Sequence, residues 1–352
     1  MTLSCTTSKS SIPQRHERTA FWTTMVLATL FSAPSQANGH QLINIAVPGS
    51  ISTNCVSINN LGTITGSWRD QNGAVHGFTR SADGNFTSFD VSGAIATIPV
   101  SVNQDDTVTG FYELSSGEYW GFIRSLNQSI TTFAASGYPH TNTFPIAINK
   151  NAAIAGNYQA GMGTHGFVMD QTGIVTTFDP AGSKLTSSQD MNSKGEIAGD
   201  FADYNFIYHG FLRAQDGTIE VFDPAGSADT FVSSVNAKGT IVGRYSDSAG
   251  VNHAFVRNPD GQFAVFDASQ SGQGIGQGTT AASINLRGEI AGSYVDSSSH
   301  QHGFVRKSDG KIRSIDPSGS ASSMALAVNN HGAVTGTWLD TQGVSRGFLL
   351  SR

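Results

Sequence analysis

Apolar and polar residues alternate along most of this chain. In Thr63–Trp68, Ile64, Gly66 and Trp68 fall on one face by period two, and Thr63, Thr65 and Ser67 fall on the other. That is the signature of a half-buried β-strand. Stretches near Cys55–Ile58, Val75–Arg80 and Asn85–Asp90 read the same way, separated by Asn-x-x-Gly and Asp-Gly turn signals. Together these four stretches, called A to D in chain order, form one unit.

The unit repeats. Its anchor asparagine recurs as Asn59, Asn103, Asn149, Asn192, Asn236, Asn285 and Asn329, in steps of 44, 46, 43, 44, 49 and 44 residues. Seven residues after each stands a glycine, Gly66 in the first unit, and two further on an aromatic residue, Trp68 in the first unit. Each unit carries a Phe in strand C (Phe78, Phe122, Phe167, Phe211, Phe255, Phe304, Phe348). In six units, eleven residues later, comes Phe89, Phe133, Phe178, Phe222, Phe266 or Ile315 in strand D. The seventh strand D is missing at the C-terminus. Its counterpart lies at the N-terminus, where 45–50 aligns with 222–227. A period of 43–49 residues with four short strands suits a β-propeller blade. The expectation is an all-β, seven-bladed β-propeller spanning residues 38–352. The N-terminal strand would complete the last blade and leave few open sheet edges.

His-Gly-Phe or His-Ala-Phe, followed by Arg, Asp-Gly and Phe-Asp-Pro, resembles the bacterial extracellular HAF repeats. The motif stands at His165-Gly166-Phe167, His209-Gly210-Phe211-Leu212-Arg213, His253-Ala254-Phe255-Val256-Arg257 and His302-Gly303-Phe304-Val305-Arg306. The resemblance covers residues 43–352 and implies a secreted propeller-like protein, with no particular activity. Trp120 and Arg346 replace the His in two units, and Ala134 replaces the Asp in one.

Composition agrees with a turn-rich β protein: 40 glycines in 352 residues, and only 13% charged residues. The net charge of −6 argues against a nucleic-acid or anionic-membrane partner. Arg15 and Arg18 precede an apolar stretch from Phe21 to Phe31, followed by small residues at Ala33, Ser35 and Ala37. This pattern predicts a secretory signal over 1–37, too short in its apolar part to be an anchor, and no transmembrane segment. Cleavage would leave a mature chain of net charge −8, secreted to the periplasm or beyond and expected as a monomer. Cys55 would be its one thiol, expected as a small buried hydrophobe, so no disulfide could support the fold.

Chemistry is less legible. His76, His165, His209, His253 and His302 recur at one blade position, where separate blades hold them too far apart to share a metal ion. They are expected to bond the backbone of neighbouring turns. The recurring Asp residues after strand D (Asp90, Asp179, Asp223, Asp267, Asp316) and in the B–C turns (Asp70, Asp203, Asp247, Asp296, Asp340) suit Asx turns. Neither a metal nor a cofactor is expected. No Gly-x-Ser-x-Gly, P-loop, Cys-x-x-Cys or His-Glu-x-x-His occurs. Gly272–Gly278 is expected as a flexible loop.

Repetition breaks in three places. Two D–A connections are longer than their siblings: Ala134–Phe144, with Tyr138 and His140, and Ala268–Thr280. The fourth B–C loop, from Asp200 through Tyr204, Phe206 and Tyr208 to His209, is aromatic where its siblings hold Ser, Asp and Gly. These loops share one face of a propeller, and loops on a rigid scaffold are where binding resides. The residue after the strand-B glycine also varies, and in the fifth unit it is Arg244. The leading expectation is a non-catalytic propeller that binds an extracellular glycan or protein through Tyr138, His140, Asp200, Tyr204, Phe206, Tyr208 and Arg244. The first alternative is a polysaccharide lyase, with His140 or Tyr208 as base and Arg244 neutralising a carboxylate. The second is a structural envelope or matrix component.

Overall fold

The computed structural model describes residues 36–37, 40–136 and 141–351. The expected signal, apart from Gln36 and Ala37, lies outside the described residues, as do Tyr138 and His140. The described residues form one all-β unit without a helix. None of their elements is a helix long and apolar enough to cross a membrane.

The architecture is a β-propeller. In the first unit, Ser52–Ile58, Ile64–Arg69, Val75–Arg80 and Phe86–Phe89 pair antiparallel in sequence order. Five further units repeat this order, ending with Ile312–Ile315. Single parallel pairings, Val75↔Ala96, Thr164↔Leu185 and Asn252↔Gly278, join neighbouring units two by two. After the sixth come Ser320–Val328, Val334–Asp340 and Ser345–Ser351. The last of these pairs antiparallel with His40–Ile45 near the other end of the chain.

Strand A bulges at the same place in every unit, in the first between Cys55 and Ser57. The strand-B glycine sits against that irregular segment. A Cβ on Gly66 would fall 1.9 Å from the Asn54 carbonyl oxygen, so no side chain fits. The His-Gly-Phe glycine has a second reason. A Cβ on Gly210 would fall 2.4 Å from the Phe222 ring, which covers that point of strand C.

The seven strand-C phenylalanines are fully buried. Each unit contributes one slab of the core. Cys55 is buried in the slab with Ile45, Val47 and Phe78, and burial pushes its thiol up to about 12. Within strand A it is the buried small hydrophobe expected of it.

The anchor asparagines link neighbours. The Oδ1 of Asn59 accepts the Thr63 N–H at 3.0 Å, and its Nδ2 donates to the Asn103 carbonyl at 2.8 Å. Asn103, Asn192, Asn236 and Asn285 repeat the second bond, each to the carbonyl of the next anchor. Asn149 departs from the series and reaches the Met191 sulfur at 3.9 Å.

The recurring histidines do not bond backbone. Nδ1 of His76, His165, His209, His253 and His302 lies 2.7–3.2 Å from Asp90, Asp179, Asp223, Asp267 and Asp316. The expectation of a backbone partner is corrected: strands C and D place residues 14 apart side by side, and a carboxylate is the stronger acceptor. The post-strand-D aspartates are therefore histidine partners. The B–C aspartates do form Asx turns, as in Asp70 with the N–H groups of Asn72 and Ala74. Three His–Asp pairs gain a hydroxyl from the next strand A: Thr186, Thr230 and Ser323. The hydroxyl donates to Asp, not to His, so these groups pin the connection and do not form an activated nucleophile.

Gly272–Gly278 is also corrected. Gly274 N–H donates to Gln277 Oε1 at 2.9 Å, Gly276 N–H to the Gly250 carbonyl at 2.8 Å, and Gly272 N–H to the Val295 carbonyl at 2.8 Å. The segment is an ordered flap held over two hairpins.

Candidate functional site

Strand alternation divides the fourth unit's B–C hairpin into two sides. Phe201 and His209 point one way, ring centroids 5.3 Å apart, and Asp200 and Tyr208 point the other. Two separate clusters result.

The first cluster lies at the hairpin tip. Tyr204 and Phe206 are 73% and 55% exposed. Asp203 Oδ1 accepts the N–H groups of Asn205 and Ile207 at 2.7 and 3.0 Å, and the Ile207 bond leads in holding its carboxyl below the usual range. Phe206 takes φ +63°, a left-handed conformation. The same place in four other hairpins is glycine (Gly73, Gly117, Gly250, Gly343), and Ser299 in another. Glycine adopts such a backbone at no steric cost, and a bulky residue does not. The Lys184 ammonium sits 3.8 Å from the centroid of the Phe206 ring. Beside the tip opens a cavity of about 550 Å³ lined by Tyr204, Asp203, Asn205, His209, Val221 and Asp223, among others. It offers an aromatic wall, apolar contact at Val221, and several donors and acceptors.

The second cluster spans the fourth and fifth units. The rings of Tyr208 and Phe231 are 5.0 Å apart, and the Arg244 guanidinium lies 4.4 Å from the Phe231 centroid. Asp200 is 4% exposed and accepts from the Val232 N–H and from Gln189 Nε2, each at 3.3 Å. Burial pushes its carboxyl up to about 7, against the opposing pull of these bonds and of Arg244. Burial likewise lowers Arg244, and Asp200 partly restores it. Arg244 is thus set by the Phe231 face on one hand and by the charge of a buried carboxyl on the other.

The structure brings Asp200, Tyr208 and Arg244 together, and Tyr204 with Phe206, as two groups on one hairpin. Phe231 and Lys184, which complete them, are absent from the sequence-based set. Phe231 had a signal. Its strand-A position varies among units (Asn54, Ile98, Phe144, Ser187, Phe231, Thr280, Met324) as the Arg244 position does. Phe144 forms a comparable aromatic group with Phe111 and Tyr119, at 5.3 and 5.4 Å. No group of three or more His, Cys, Asp or Glu placed to hold a metal occurs among the described residues.

No protein-family model matches the chain, and no curated protein matches its sequence. Solved structures do resemble it. A streptogramin B lyase superposes with TM-score 0.59 at 12% identity, over 89% of this chain and 98% of that one. The β-propeller domain of the trilobed protease from Pyrococcus furiosus gives 0.59 at 10% identity, over 86% and 94%. A puromycin-hydrolyzing peptidase from Mycobacterium tuberculosis gives 0.59 at 9% identity, over 85% of this chain and 54% of that one. These likenesses share the propeller scaffold.

Proposed function

We propose that this protein is a secreted seven-bladed propeller of the HAF-repeat kind, closed by its N-terminal strand, that binds an extracellular glycan at the fourth-unit hairpin without turning it over. Closure is supported by the pairing of His40–Ile45 with Ser345–Ser351 and by the bond from Asn329 Nδ2 to the Asn59 carbonyl. Secretion is supported by the basic, apolar and small-residue order of residues 15–37.

The observation that carries binding is Phe206. A large apolar side chain is kept exposed on a left-handed backbone where sibling turns use glycine. Strain of this kind, retained at a surface, points to use of the side chain. Tyr204 beside it offers a flat face for a sugar ring, and Asn205, Asp203 and His209 offer hydrogen bonds into the adjoining cavity. Asp200 acts only through Arg244, as a positioning residue.

A second reading has its own observation. Asp200 titrates near neutrality beside Arg244 and Tyr208, the mixture that β-elimination from a uronic acid requires. One of the fold neighbours is named a lyase, although its activity does not follow from the shared scaffold.

One experiment tests both. The chain from Asn38 is titrated calorimetrically with neutral and acidic oligosaccharides while unsaturated-product absorbance is followed. Binding that is lost in Tyr204→Ala, with no product, supports the first reading. Product formation that vanishes in Arg244→Ala supports the second. Binding to neither class, with capture of a protein partner instead, overturns both.

A further inference from the structure

The opposite face, built from the A–B and C–D turns, carries a different kind of feature. Strand C commonly ends in an arginine whose guanidinium lies over the outer-strand Phe of the preceding unit. Arg124 lies 4.6 Å from the Phe89 centroid, Arg257 4.7 Å from Phe222, and Arg306 4.6 Å from Phe266. Stacking leaves the edge of each guanidinium, with its N–H donors, to find an acceptor.

Between the fourth and fifth units the chain supplies that acceptor. Arg257 forms an ion pair with Glu220, two residues before Phe222 on the outer strand. Between the fifth and sixth units the equivalent position is Ala264, two residues before Phe266. Arg306 makes no hydrogen bond or ion pair with any described residue. Its Nε is buried without an acceptor, as are those of Arg124, Arg213 and Arg257, so the difference from Arg257 lies in the missing carboxylate at the guanidinium edge. Beside it opens a cavity of about 190 Å³ whose lining includes Arg306, Lys238, Arg287, Thr240 and Asn258 and no Asp or Glu. The carboxylates of the adjoining turns are engaged elsewhere. Glu289 lies 3.3 Å from Arg287 and accepts from Asn285, and Asp309, whose charge also reaches Arg306, lies 3.4 Å from Lys311. The corresponding cavity at Arg124, of about 160 Å³, has Asp106 in its lining and is not comparably uncompensated. Of the three cations on this cavity Arg287 is paired with Glu289, while Arg306 and Lys238 face it with no carboxylate in its lining. Arg306 is half-buried where Arg257 is buried, so its guanidinium edge is open to an anion from solvent.

We propose that this cavity binds the carboxylate of a small acid of sugar-acid size, which takes at Arg306 the place that Glu220 takes at Arg257. Arg306 supplies the charge-assisted donor, Lys238 and Arg287 flank the anion, and Thr240 and Asn258 supply neutral donors. The site is independent of the hairpin site on the other face.

The test is calorimetric titration of the protein with sodium glucuronate, with glucose and sodium sulfate in parallel. Glucuronate is expected to bind, glucose is not, and sulfate is expected to bind more weakly. Ala264→Glu installs the internal carboxylate. It is expected to weaken glucuronate binding by at least about tenfold, since charged hydrogen bonds are worth more than a tenfold step. Lys238→Ala, at a turn, is expected to weaken it as well and serves if Ala264→Glu does not fold. Absence of glucuronate binding to the unmodified protein, binding undiminished in Ala264→Glu or Lys238→Ala, or tighter binding of sulfate would each overturn the assignment.

Discussion

The side-chain amide of Asn329 donates to the backbone carbonyl of Asn59 at 3.0 Å, joining residues 270 positions apart in the chain. The same side chain accepts the N–H groups of His331 and Ala333 through Oδ1, both at 3.0 Å. Asn149 keeps the equivalent turn bonds, but its amide reaches only a thioether sulfur. Alanine at either place removes the turn bonds. Alanine at 329 also takes from the Asn59 carbonyl one of its two donors, leaving the Gly62 N–H at 3.1 Å. Asn329→Ala is therefore expected to cost about 1 kcal/mol more than Asn149→Ala. Urea denaturation of both variants, compared at constant m, measures the difference, and equal costs would show that the long-range bond contributes nothing.

Gly210 and Ala254 occupy the same strand-C position in adjacent units. A Cβ at Gly210 would meet the Phe222 ring at 2.4 Å, while Ala254 is accommodated in a slab with Phe266. Gly210→Ala is expected to destabilise by about 1–3 kcal/mol through overpacking, and Ala254→Gly by less than about 1 kcal/mol. Thermal midpoints of the two variants check the asymmetry.

The repeat was legible because every strand announces itself locally, by period-two alternation and by turn residues at fixed offsets. The His–Asp pairing was also written in the chain. All five pairs are separated by 14 residues, and where Trp120 replaces the His, Ala134 replaces the Asp at that same spacing. Reading the two departures as one event would have given the partner. Phe231 over Arg244, and Lys184 over Phe206, were harder. Phe231 meets Tyr208 across a unit boundary, and Lys184 comes from the preceding connection, so neither contact follows from the pattern within one unit.

Asp200 carries a pH prediction. Burial raises its carboxyl to about 7, above the value near 3.9 of an unfolded chain. A group raised on folding adds stability that is fully present below its unfolded value and is lost as pH rises through its folded value. Stability is therefore expected to fall between about pH 4 and pH 7, at a slope of up to about 1.4 kcal/mol for each step of one in pH. Asp200→Asn keeps a neutral group of similar shape. Its thermal midpoint, relative to the unmodified protein, is expected to rise from pH 5 to pH 8. A difference that stays constant over that range would show that Asp200 does not titrate there.

Phe206 sets stability against use. Its backbone, at φ +63°, is one that glycine adopts freely in the sibling turns Gly73, Gly117, Gly250 and Gly343. The left-handed region costs a bulky residue on the order of 1 kcal/mol or more. Phe206→Gly is expected to recover about 1 kcal/mol, less what is lost with the Lys184–ring contact. Lys184→Ala measures that contact by itself. If the aromatic tip exists to hold a ligand, the same Phe206→Gly variant must bind oligosaccharide more weakly while melting higher. A variant that melts higher and binds unchanged would move the site off the tip, toward Tyr208 and Arg244. A variant that melts lower would mean that the ring contributes more through its packing against Lys184 than the backbone strain takes away.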